Sequence, residues 1–182
     1  MAEAKQLIKY GDIRSQIQDG DVLLFSGRYW ISKIIELFTG KYSHSAIAAW
    51  WSDRLMVFES TWPGNVRVVP ASMCVDEYNG PVDWFVCTAP GLDRNKVVRI
   101  AKDQVGKKYS FRKLFAAIRR FFGRKGGKDP TTAPASYQCT EFVSYCLREG
   151  GCDVAPDFPD ALTDPQDFER SAVMKKAATI HS

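Results

Sequence analysis

The chain has 182 residues, 45% of them hydrophobic and 25% charged, with a net charge of +4, which suits one globular domain with an ordinary core. No apolar run reaches the roughly 18 residues a membrane span needs, and the start, MAEAKQLIKYGDIRSQ, lacks the apolar centre of a secretory signal. A cytoplasmic protein is expected, a single domain over 1–182 with its core at about 18–172 and the option of a peripheral place at a membrane.

GDVLLF (20–25) reads as a strand. RYWISKIIELFTG (28–40) carries apolar residues at helical spacing and ends on Gly40, a C-cap residue. HSAIAAWW (44–51) and RLMVFES (54–60) read as strands joined through Ser52-Asp53, and NVRVVP (65–70) and VDWFVCTAP (82–90) as further strands. DRNKVVRIAKDQVG (93–106) predicts a helix capped by Asp93 and closed by Gly106. A basic, aromatic insertion follows at about 107–135. SYQCTEFVSYCLREGG (136–151) predicts a helix from Cys139 to Gly150-Gly151, and DPQDFERS (164–171) starts a short helix in the tail. Strands first and the cysteine helix late make an α+β domain.

Five cysteines, an odd number with no CxxC pair, argue against a disulfide framework, and two histidines make a zinc site unexpected. Cys139, Phe142, Val143 and Cys146 recur at i, i+3, i+4 and i+7 and so share one helix face, the pattern of a core, and free cysteine is mostly buried. Position separates Cys139 from Cys146. In the first turn, unpaired N–H groups and the positive end of the helix dipole favour an anion, and a thiolate stabilised there is a nucleophile. Thr140 and Glu141 suit such a helix start.

A nucleophile needs a base. His44 is the only histidine besides His181, the penultimate residue, which is expected to fray. It opens an apolar strand between Ser43 and Ser45, and its pKa suits proton transfer near neutrality. A two-residue loop at Ser52-Asp53 pairs Trp51 with Arg54, so Ala46 falls opposite Glu59, and His44 and Glu59 become diagonal neighbours on one face. Glu59 then reads either as the group that orients the imidazole or as a solvated strand end, and a one-residue slip would turn it to the other face.

GDVLLF, FTGKYSHSAI, VFES, YQCTEFVSYCL and DPQDFERS, in that order, resemble the permuted papain-like proteins of the YiiX/YebB group in the NlpC-type superfamily, over residues 20 to about 172. The resemblance implies a circularly permuted papain-like α+β fold, an antiparallel sheet packed against helices with the cysteine helix near the C-terminus. It also implies Cys139 as nucleophile, His44 as base and Glu59 as orienting group. It places Tyr109, in GKKYSF, where the family tends to have a tyrosine, although Ser110 follows where the family often has aspartate. The Cys139 backbone N–H is one expected oxyanion donor, with Gln138 or Tyr109 as a second, and Tyr42 and Trp62 are further pocket candidates.

From Lys107 to Lys128 lie nine Lys and Arg and no acidic residue, interleaved with Leu114, Phe115, Ile118, Phe121 and Phe122. This is the make-up of an interfacial helix that sets Arg119, Arg120, Phe121 and Phe122 on an anionic membrane, or of a surface helix packing its apolar stripe on the domain. Nucleic acid is not expected, because no recognised fold or stacking platform accompanies the charge. Taken together, the residues predict a cysteine-dependent hydrolase or acyltransferase without cofactor, acting on an amide or ester of a lipid-like acyl group or a short cell-wall-type peptide. Trp30, Trp50, Trp51 and Trp62 are expected near an apolar pocket. The alternative is a non-enzymatic module on the same fold that binds a membrane or a partner.

Overall fold

The computed structural model describes residues 7–26, 41–78, 80–110 and 133–181. The helix expected over 28–40 with Trp30, and the stretch with Arg119, Arg120, Phe121 and Phe122, lie outside the described residues.

Alternating and β-branched runs form the strands where the sequence places them: β2 (Val22–Phe25), β3 (His44–Trp51), β4 (Arg54–Ser60), β5 (Val66–Pro70) and β6 (Val82–Cys87), after a short β1 (Leu7–Lys9). Two-residue strands β7 (Lys108–Tyr109) and β8 (Ser136–Tyr137) pair with each other, and β9 (Met174–His181) ends the chain. The helices are α1 (Tyr10–Ile13), α2 (Ala71–Tyr78), α3 (Arg94–Asp103), α4 (Cys139–Glu149) and α5 (Pro165–Arg170). Asp93 caps α3 by accepting from the Lys96 N–H at 2.9 Å, and Asp164 caps α5 by accepting from the Gln166 N–H at 2.8 Å.

The main sheet runs β1-β9-β6-β2-β3-β4-β5. The β3–β4 hairpin keeps the expected register, Trp51↔Arg54 through Ile47↔Phe58, and Ser52 takes the left-handed turn position at φ 56°. Two expectations are corrected. The main sheet is mixed, because β1 pairs parallel with β9, and the separate β7–β8 pair is also parallel. The tail holds more than a short helix: β9 lies between β1 and β6, so the sheet extends past the expected core of 18–172 at both ends, and His181 is paired with Lys9 rather than frayed. Met174 and Ile180 are buried along β9, and that apolar anchoring draws the terminus into the sheet.

Each face of the sheet carries its own core. Leu24, Ile47, Phe58 and Phe85 pack with Val97 of α3 and Phe142, Val143 and Leu147 of α4. Leu23, Phe25, Ala46, Ala48 and Val57 pack on the other face with Cys74 and Val75 of α2. α4 ends where Gly150 leads to Gly151 at φ 93°, a conformation that disfavours a side chain. Just past that turn Cys152 forms a disulfide with Cys87, Cα to Cα 6.8 Å, while Cys74, Cys139 and Cys146 are free and buried. The cysteine count argued against a disulfide framework; this single bridge joins residues 65 apart, a proximity made by the packing of α4 beside the end of β6. No helix among the described residues is long and apolar enough to cross a membrane.

Candidate active site

The start of β3 lies beside the end of β4, and there His44, the first residue of β3, and Glu59, next to last in β4, carry the chemistry. His44 and Glu59 project from the face that carries Ala46, Ala48 and Val57, as the register requires. His44 is 5% exposed and Glu59 is fully buried, so neither is a solvated strand end. The His44 Nε2 and Glu59 Oε2 lie 2.7 Å apart. Cys139 arrives from the opposite layer. α4 packs on β3 and β4, and the carbonyl of Tyr137, two residues before the cysteine, accepts from the Ser60 hydroxyl at 3.2 Å and from the Ser110 N–H at 2.8 Å. These bonds hold the start of α4 against the end of the hairpin. There the Cys139 thiol comes near enough to His44 for each to shift the other's pKa, while the His44 Nε2 is taken by Glu59.

Aromatic rings wall the imidazole. Tyr78 of α2 stacks on it with centroids 5.0 Å apart and planes 11° from parallel, and Phe25 lies 5.6 Å away. Behind Glu59 stands Arg67 of β5, whose Nε and Nη2 reach Glu59 Oε1 at 2.8 and 2.7 Å. The sulfur also lies 3.8 Å from the Thr140 hydroxyl.

These contacts decide the charges. Burial is the largest influence on His44 and opposes its protonation. The hydrogen bonds and charges of Cys139 and Glu59 outweigh it and raise the pKa to about 9. Burial also opposes ionisation of Glu59, yet His44 and then Arg67 hold its pKa at about 2. The Cys139 thiol, pushed up by burial, is brought below its ordinary value by His44 and Thr140. By contrast, burial pushes Cys74 and Cys146 up with no cation to offset it fully. Of the three free cysteines, Cys139 is the one whose thiol its surroundings lower.

The remaining candidates divide. Tyr109, set on β7 beside β8, lies near enough to Cys139 that the sulfur's charge joins burial in raising the phenol. Trp62 is 54% exposed on the turn whose Gly64 carbonyl accepts the Tyr109 N–H at 3.1 Å. Gln138 is buried, and its side-chain Nε2 donates to the Ala161 carbonyl at 3.2 Å. Tyr42 belongs elsewhere. Its hydroxyl donates to Asp83 at 2.6 Å, in a cluster where Asp83 also meets Lys41, Lys176 and Thr179. Trp50 and Trp51 do not line the site. They stand at the far end of β3, roughly 20 Å from His44 at about 3.3 Å per residue. Trp50 Nε1 donates to the Ile17 carbonyl at 2.8 Å, and Trp51 is exposed under Lys102. Lys107, counted with the basic insertion, donates to the Pro134 carbonyl at 2.9 Å and lies over the Tyr137 ring.

Sequence reasoning missed Arg67 and Tyr78. Arg67 left a signal, since pairing VFES with NVRVVP as a hairpin sets it directly across from Glu59, as β4 and β5 do. Tyr78 left none, because α2 carries no strong pattern.

No family model matches the chain, and no curated protein matches it. A solved structure of similar fold is that of the metalloprotein YiiX from Escherichia coli O157:H7, DUF1105, which is 18% identical over 92% of this chain and 99% of that chain, with a TM-score of 0.66. At this identity the likeness is one of fold, an α+β domain built on a large sheet.

Proposed function

We propose that the protein is a thiol hydrolase or acyltransferase of permuted papain-like design that acts on an amide or ester bond. Cys139 is the nucleophile, His44 the acid–base and Glu59 the group that orients the imidazole. One observation carries this reading: a buried imidazole held between a carboxylate at 2.7 Å and a cysteine thiol at a helix start. A structural cysteine needs no such partner, and burial alone would leave both it and the histidine neutral.

In the reaction, the Cys139 sulfur attacks the carbonyl carbon and forms a C–S bond, and the carbonyl electrons pass to oxygen. The oxyanion lies by the helix start, where the Cys139 N–H donates to it. Collapse breaks the bond to the leaving nitrogen or oxygen, which takes the proton from the His44 imidazolium. The neutral imidazole then takes a proton from water or another acceptor, whose oxygen attacks the thioester and returns Cys139 to its thiolate. The acyl group enters past Trp62 and Tyr109; Trp50 and Trp51 have no part in holding it. The metal in the name of the YiiX structure belongs to that protein; among the described residues no cluster of three or more His, Cys, Asp or Glu is arranged to hold one.

The test is acylation of the full chain by p-nitrophenyl esters, read by intact mass and peptide mapping, with and without EDTA. One acyl group on Cys139, absent in Cys139→Ala, slow in His44→Ala and indifferent to EDTA, is the expected result. Acylation of Cys139 no faster than that of a small free thiol would overturn the reading.

A further inference from the structure

Glu59 is a buried carboxylate with both oxygens engaged, and the two oxygens meet different cations. Oε2 holds His44, and Oε1 receives two N–H groups of one guanidinium. A carboxylate held through one oxygen can still swing about its last bond. Held through the other oxygen as well, by a planar fork, it has one orientation, and a point-charge ammonium gives no such plane. Arg67 is positioned for this by the strands themselves, as the direct cross-strand partner of Glu59, and its outer side reaches Glu77 at 3.7 Å. Its charge also covers part of the carboxylate's charge.

We propose that Arg67 is a positioning residue of this site: it locks Glu59 so that Oε2 stays on His44 and the imidazolium that lowers the Cys139 thiol is kept. The inference rests on the thiol-relay reading above. The other ionisable groups around the pair are Cys74, Glu77 and Tyr78 on α2, Cys139 on α4 and Tyr109 on β7. None of them is a cation; among the described residues, His44 and Arg67 are the positive charges that lower Glu59.

Loss of the lock lets Oε2 leave His44, which raises the pH at which the thiolate forms. The test is the pH profile of Cys139 alkylation by iodoacetamide in the full chain, for wild type, Arg67→Ala and Arg67→Lys, each scored only while Cys74 and Cys146 stay protected. Arg67→Ala is expected to move the acid limb up by roughly one pH unit. Arg67→Lys, which keeps the charge without the fork, is expected to recover less than half of that shift. A purely structural role would release Cys74 and Cys146 and leave the limb in place. A depressed wild-type limb that neither variant moves overturns the role of Arg67 alone; should Arg67→Ala fail to fold, the Arg67→Lys limb decides. A wild-type limb at the ordinary thiol value of about 8.5 overturns the relay itself.

Discussion

Glu59→Gln keeps the shape of the side chain and removes its charge. In the wild type the imidazolium of His44 survives burial because a hydrogen bond and a charge from Glu59 join those from Cys139. With the carboxylate gone, burial acts on the imidazole with half of its opposition removed, and the thiol loses the cation that lowers it. A thiol returned to about 8.5 is ionised to roughly 0.3% at pH 6, less than a thiol that its partners hold below the ordinary value. The more basic thiolate is intrinsically faster, which gives back part of that loss. The net expectation is a fall in the alkylation rate of Cys139 at pH 6, by roughly threefold for each unit by which the thiol rises, shrinking towards pH 9. Iodoacetamide labelling with peptide mass spectrometry measures it. Cys74 and Cys146, both pushed up by burial, serve as internal controls and stay unlabelled in either protein. A Glu59→Gln rate at pH 6 within threefold of wild type would refute the charge argument.

Glu59 also links stability to pH. Its folded pKa of about 2 lies below the ordinary value of 4.5, so its contribution is complete above pH 4.5 and is lost as pH falls through about 2. The shift corresponds to roughly 3 kcal/mol, and urea melts of wild type and Glu59→Gln should show their stability gap closing by about that amount between pH 6 and pH 2; a constant gap would contradict it. Asp83→Ala strips the shared acceptor from Lys41, Tyr42, Lys176 and Thr179, of which Tyr42 and Thr179 are buried. It should cost about 3–5 kcal/mol in a urea melt and leave the acid limb of Cys139 alkylation where it was, because this cluster is separate from the thiol; a moved limb would show that the two sites are coupled.

The sequence by itself determined the strands from β2 to β6, the start of α4 and the diagonal placement of His44 and Glu59. Those features follow from local periods: alternation along a strand, a two-residue turn that sets a register, and a helix that begins at a particular residue. Only the tertiary structure decided the rest. It brought Cys139 across from the opposite layer to the imidazole, set Arg67 behind Glu59, stacked Tyr78 on His44 and joined Cys87 to Cys152. It also carried Trp50 and Trp51 to the far end of β3 and drew the C-terminal strand into the sheet. Nearness in sequence misled for the tryptophans because a strand moves its side chains apart by about 3.3 Å per residue. The partners that matter come from separate elements, and what joins them is the burial of apolar faces on both sides of one sheet, which no local period encodes.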